Sequence, residues 1–154
     1  MTTCKKTNSE DKDFLSLVKE LDLDLSIRDG DQRAFYNQFN KLDKINHVIV
    51  AYENDIPVGC GAIKEYSDNT MEVKRMFVPF SMRGRGIASL VLSELEKWTM
   101  ESGFTKCILE TGKRQPEAIA LYKKNGYKII PNYGQYENIV NSVCFEKILK
   151  EKKL

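Results

Sequence analysis

The stretch Val73-Lys74-Arg75-Met76-Phe77-Val78-Pro79-Phe80-Ser81-Met82-Arg83-Gly84-Arg85-Gly86-Ile87-Ala88 runs from a strand through a loop into a helix, and its reading decides the fold. The apolar run ends at Pro79, which has no N–H to offer a ladder. Beyond the loop, Ile87, Leu90, Val91, Leu95 and Trp98 form one stripe at helical spacing, predicting a helix to about Ser102 with Gly103 as its left-handed cap. Closely spaced glycines let successive N–H groups turn into one concavity. A helix N-terminus adds unpaired donors and the positive end of its dipole. Arg83 and Arg85 raise the local potential further. The loop therefore suits a diphosphate. It lacks the Gly-Lys-Ser/Thr of a nucleotide-triphosphate loop and the spacing G-x-G-x-x-G.

Working outward, residues 2–7 read as a first strand. Phe14, Leu17, Val18 and Leu21 then place a helix over about 11–25. Asp29-Gly30-Asp31 reads as a turn, with Ala34, Phe35, Gln38 and Phe39 on a second helix. Residues 47–53 and 56–65 read as strands joined by a tight turn at Asn54-Asp55, and 70–78 as the strand that enters the loop. Downstream come a short strand over 107–110 and a helix opening at Pro116, with Ala118, Leu121 and Tyr122 on one face. Gly126 closes that helix. Strands over 127–130 and 142–147 follow, joined by a tyrosine-rich loop over 131–139. The order β-α-α-β-β-β-α-β-α-β-β predicts a mixed sheet with helices on both faces.

Composition narrows the classes. A chain of 154 residues with 42% hydrophobic side chains predicts one domain, spanning 1–154, that needs no staple. Its net charge of +2 argues against nucleic acid, and the basic run near the C-terminus (147–153) is too short to reverse that. Cys4, Cys60, Cys107 and Cys144 lie far apart with only His47 to help, so no metal site is expected. His47 reads as a strand-start residue. No apolar run is long enough to cross a bilayer and no export pattern opens the chain, so a cytoplasmic protein is expected, monomer or homodimer. The charge is unevenly spread. Residues 1–70 carry 9 basic and 13 acidic side chains, residues 71–154 carry 15 and 9. This split suggests an anionic ligand on the basic half and a cationic one facing Asp22, Asp24, Asp29 and Asp31.

Residues 73–79 and 83–88 resemble the acetyl-CoA signature of the GNAT superfamily of N-acetyltransferases. Arg83, Gly86 and Ala88 satisfy its pattern of Arg or Gln, two residues, Gly, one residue, then Gly or Ala. Residues 118–127, Ala-Ile-Ala-Leu-Tyr-Lys-Lys-Asn-Gly-Tyr, are similar to the family's penultimate helix and the strand after it. Leu109-Glu110-Thr111-Gly112 and Asn141-Ser142-Val143-Cys144-Phe145-Glu146-Lys147 are similar to a bacterial subgroup of the family with no assigned substrate. The resemblance spans roughly 2–148 and is weakest over the first 45 residues. It implies an α+β fold in α/β/α layers: a mixed, mostly antiparallel sheet of six to seven strands with splayed parallel central strands.

It also implies direct acetyl transfer from acetyl-CoA to a primary amine of a small molecule or peptide, without a metal. The other reading is a noncatalytic acyl-CoA-binding regulatory domain on the same scaffold. By the resemblance, Met76, Phe77 and Val78 would bind the pantetheine arm, with an N–H near Phe77 polarising the thioester. Residues Arg83, Gly84, Arg85, Gly86, Ile87, Ala88 and Ser89 would hold the diphosphate. Gln115 stands where many members have Asn, and Lys124, with Lys123, lies toward the nucleotide's 3′-phosphate or in solvent. Tyr122 matches the acid that protonates the departing thiolate, or else is a core tyrosine. Glu72, eleven residues before Arg83, matches the catalytic base of some members. Strand alternation would put it on the face of Met76 and Lys74; otherwise it is a solvated strand-start carboxylate, and Glu110 or an ordered water is the base. Tyr133 and Tyr136 line the acceptor pocket or anchor their loop.

Overall fold

The computed structural model describes residues 1–29 and 45–149. The second helix expected around 34–39, the turn residues Gly30 and Asp31, and the end of the basic run lie outside them. Seven strands form one sheet: β1 (Thr2–Thr7), β2 (His47–Glu53), β3 (Ile56–Ser67), β4 (Thr70–Phe77), β5 (Lys106–Gly112), β6 (Lys128–Ile130) and β7 (Ser142–Ile148). Their spatial order is β1-β2-β3-β4-β5-β7-β6. All neighbours are antiparallel except β4 and β5.

Helix α1 (Lys12–Asp29) covers one face, packing Phe14, Leu17, Val18 and Leu21 on Val48, Val50, Cys60, Ala62 and Phe77. Asp11 caps it, its Oδ1 accepting from the N–H groups of Asp13 at 2.9 Å and Phe14 at 3.0 Å. The helix runs four residues past the expected Leu25, so Asp29 is helical rather than part of a turn. Ser26-Ile27-Arg28 contains no breaker, and Gly30 is the first residue that strongly disfavours a helix. Helices α2 (Ile87–Glu101) and α3 (Pro116–Lys124) cover the opposite face, burying Val91, Leu92, Leu95 and Tyr122 against Ile63, Val73, Leu109 and Phe145. Close approach there needs Gly61. A Cβ on it would lie 2.8 Å from Leu95 Cδ1 and 3.0 Å from Val91 Cγ1.

The β2–β3 turn has the conformation its residues demand, with φ of 50° at Asn54 and 65° at Asp55. Strand β4 is less regular. Cys60 pairs with Phe77 and Ala62 with Lys74, so β4 carries one extra residue opposite β3. Arg75 takes up the irregularity with a φ of 59°, a conformation costing about 1–3 kcal/mol for a residue with a Cβ. Its carbonyl accepts the Cys60 thiol at 3.4 Å, and its buried guanidinium pairs with Asp22 at 2.9 Å. The bulge overturns the expected alternation. Glu72 and Lys74 face α1, Met76 packs with the α2 cluster, and Phe77 returns to the α1 side. Glu72 and Met76 thus stand on opposite faces.

Candidate active site

Strands β4 and β5 share only three pairs, Thr70–Lys106, Met71–Cys107 and Glu72–Ile108. Past that seam no pair joins them among the described residues, and a cleft lined by both strands opens there. Two cavities meet in it. The larger, about 330 Å³, reaches from Met76, Phe77 and Val78 to the loop and the first turn of α2. The smaller, about 100 Å³, lies toward α1 and is lined by Glu72, Lys74, Glu110 and Tyr136. Leu21, Met76, Gln115, Ala118 and Tyr122 line both.

In the larger cavity the glycines adopt the conformations the sequence implied, with φ of 81° at Gly84 and 78° at Gly86. A Cβ on either would meet nothing within 4 Å, so the backbone angle, not crowding, requires glycine. The Gly86 carbonyl accepts the Leu90 N–H at 3.0 Å and starts the helical ladder. Ile87, Ala88 and Ser89, whose N–H groups belong to the first turn, line the cavity. Arg83 is partly held: Nε donates to the Val78 carbonyl at 2.8 Å, and its guanidinium lies 5.8 Å from the Phe77 ring and 5.7 Å from Phe80. Arg85 projects outward and pairs with Glu53 at 3.3 Å, so it stands outside the cavity lining. Lys124 reaches the lining, whereas Lys123 is exposed and does not. Gln115 sits at the N-cap of α3 without a side-chain cap bond.

Asn125 was not among the residues singled out from sequence. Its Nδ2 donates to Ser89 Oγ at 3.1 Å and to the Leu121 carbonyl at 2.9 Å, tying the end of α3 to the start of α2. Both contacts are tertiary or capping contacts. Its sequence signal was its place in the 118–127 motif, just before Gly126.

Tyr122 stands where the two cavities join, buried edge-on to Tyr127 and tilted to Phe145, each ring 5.8 Å away. Burial, reinforced by the Glu110 charge, raises its phenol above the ordinary value near 10.

On the α1 side Glu72 is buried, not a solvated strand-start carboxylate. Its Oε2 accepts the Tyr133 hydroxyl at 2.6 Å, and its Oε1 lies 3.6 Å from Lys74 Nζ. Glu110 Oε2 accepts the Ser142 hydroxyl at 2.6 Å. Each carboxylate is therefore oriented by a hydroxyl from one end of the same β6–β7 connection, which Asn132 Nδ2 closes on itself by donating to the carbonyls of Ile139 and Ser142. Burial and the Glu72 charge push the Tyr133 phenol up, as burial and both carboxylates do for Tyr136. Tyr136 lines the smaller cavity while Tyr133 anchors the connection, edge-on to Tyr66. The acidic groups of α1 are engaged elsewhere than expected: Asp22 binds Arg75, and Asp24 lines the larger cavity, 3.9 Å from Arg83. His47 opens β2, half-buried edge-on to Trp98, as read from sequence. No cluster that could hold a metal ion occurs among the described residues, and no helix there is long and apolar enough to cross a membrane.

The family model of the acetyltransferase (GNAT) family matches residues 14–127, and the chain belongs to that family. Over 102 residues it is 37% identical to an IAA acetyltransferase of Azospirillum brasilense, covering 66% of this chain and 67% of that protein. A solved structure described as a candidate acyl-CoA N-acyltransferase, from Klebsiella pneumoniae, superposes with a TM-score of 0.81 at 27% identity, covering 97% of this chain and 99% of the other. The PaiA N-acetyltransferase of Thermoplasma acidophilum, solved with coenzyme A, shares the fold at a TM-score of 0.68 and 20% identity over 96% and 99% of the two chains.

Proposed function

We propose that this chain, as one domain in the cytoplasm, transfers an acetyl group from acetyl-CoA to a primary amine of a small molecule or peptide by direct attack in a ternary complex. The observation that carries this reading is the pair of cavities meeting at Tyr122 and Met76, one beside the glycine loop and one beside two carboxylates. The larger has room and chemistry for an extended anionic thioester: a strand edge, a first helical turn and Lys124. Phe77 and its neighbours on the inward edge of β4 would offer backbone groups to the pantetheine arm, and an N–H near Phe77 would bind the developing oxyanion. Arg83, Gly84, Gly86, Ile87, Ala88 and Ser89 would take the diphosphate at the α2 terminus.

Glu72 would accept the ammonium proton, since an amine attacks only as its neutral form. The Tyr133 hydroxyl fixes Oε2, which leaves Oε1, 3.6 Å from Lys74 Nζ, as the oxygen that would take the proton. Tyr122, protonated through the neutral range, would return a proton to the thiolate as the thioester bond breaks. Glu110 is the second candidate base. Holding both reactants across one seam supplies orientation, worth at most about 7–11 kcal/mol of barrier. The test is thiol release from acetyl-CoA against an amine panel, with the acetylated product identified by mass. Thiol release with any amine supports the reading. Tight coenzyme A binding with no turnover on any acceptor would instead favour the noncatalytic domain.

A further inference from the structure

We infer that the acceptor is a small zwitterion, an amine that carries its own carboxylate, with the ammonium docking at Glu72 and the carboxylate at Lys74. The inference rests on the acetyltransfer reading and specifies its acceptor. It starts from an ion pair in an unusual place. Glu72 Oε1 and Lys74 Nζ lie 3.6 Å apart, too far for a tight hydrogen bond, with side chains only 10% and 12% exposed, and both line the smaller cavity. Two residues apart on β4 and before the bulge, they present opposite charges on the same face toward α1.

Among the described lining residues Glu110 adds a second carboxylate, while Arg75 is already neutralised by Asp22. A simple cationic amine that bound Glu72 would sit beside the Lys74 ammonium in a poorly solvated cavity, and like charges there repel strongly. An anionic acceptor would meet Glu72 and Glu110. A ligand with both charges offers an opposite charge to each partner of the existing pair. The volume, about 100 Å³, fits a small molecule. Orientation follows as well. Glu72 is the group proposed to take the amine's proton, and the cavity joins the thioester cavity at Tyr122 and Met76, so an ammonium at Glu72 becomes the attacking nitrogen.

The experiment measures kcat/KM by thiol release for a set of small L-amino acids, each beside its carboxamide, which keeps the amine and removes the negative charge. The expected result is that the best amino acid exceeds its carboxamide at least tenfold. Lys74→Met should cut that ratio below threefold, and Lys74→Arg should keep it above threefold. Equal or better turnover of the carboxamides by the wild type would overturn the zwitterion inference while leaving acetyltransfer standing. An unchanged ratio in a folded Lys74→Met protein would overturn it too. Coenzyme A binding by calorimetry without thiol release on any acceptor would overturn both this inference and the reading beneath it. The wild-type series decides the matter even if Lys74→Met fails to fold.

Discussion

Replacing Tyr122 by Phe removes one oxygen and nothing else from the junction of the two cavities. The ring contacts with Tyr127 and Phe145, both at 5.8 Å, survive, so stability should change by no more than about 1 kcal/mol, a Tm shift of roughly 2–4 °C for a chain of this size. The rate should change far more. A positioned general acid contributes about 10²–10⁴-fold. A thiol, with an ordinary pKa of about 8.5, leaves more readily than an alcohol or amine, which places this case at the lower end. The expected loss is about 10²-fold in the acetyl-transfer rate, or about 2.7 kcal/mol, with the KM for acetyl-CoA within a factor of three. Single-turnover mixing is the right assay because it takes product release out of the measurement. The pH dependence has a definite sign. Burial and Glu110 raise the phenol above its ordinary value near 10, so the proton-bearing form persists to higher pH, and the wild-type rate should not fall through Tyr122 ionisation between pH 8 and 10. A single-turnover rate within threefold of wild type for Tyr122→Phe would refute the assignment and return Tyr122 to a packing role.

Three further outcomes follow from the same geometry. Glu72→Gln keeps the shape of the side chain but cannot take a proton, and should lower kcat at least 10²-fold; if Glu110→Gln shows that loss and Glu72→Gln does not, the base has been misassigned. Gly86→Ala meets no atom within 4 Å, so its cost is the left-handed φ of 78° alone, about 1–2 kcal/mol. Differential scanning fluorimetry should then show a Tm lower by roughly 2–8 °C, and a drop under 1 °C would contradict the conformational argument. The buried thiols should be inert in the native protein at pH 8, because burial pushes Cys60 up to about 12 and Cys107 and Cys144 to about 11, leaving almost no thiolate. Titration with a chromogenic disulfide should show only the half-buried Cys4, itself slowed by burial, reacting before denaturation and four thiols after it; two or more reactive thiols in the native state would disprove the burial argument.

The glycine-loop half of the candidate site was legible because its determinants are local. Gly84 and Gly86 are read by their own backbone angles, and the stripe from Ile87 to Trp98 by its own period. Strand order around the hairpins was legible for the same reason, Asn54 and Asp55 being residues that tolerate a positive φ. The half beside the two carboxylates was not. The bulge at Arg75 leaves no mark in hydropathy, since Met76 and Phe77 are apolar whichever face they take, and only pairing with β3 reveals the slip. Tyr133 reaches Glu72 across 61 positions, and Ser142 reaches Glu110 across 32. Such contacts belong to the topology, not to any window of sequence. The charge asymmetry pointed to carboxylates in the first helix, yet Asp22 and Asp24 face Arg75 and Arg83; counts by half-chain cannot show which charges neutralise each other.

The three-pair seam between β4 and β5 has a bearing on how the molecule survives in a crowded solution. Where two strands diverge, each keeps a row of backbone donors and acceptors, the same feature that lets stray chains add to a sheet and seed aggregates. Here the open rows lie in the middle of the sheet, roofed by α1 on one side and by α2 and α3 on the other, and no free sheet edge of another molecule can approach them broadside. A narrow, flexible ligand can. The fold keeps adhesive backbone available to something the width of a single extended chain while denying it to a second protein, so damage that lifts α1 should show itself first as aggregation that saturating ligand suppresses.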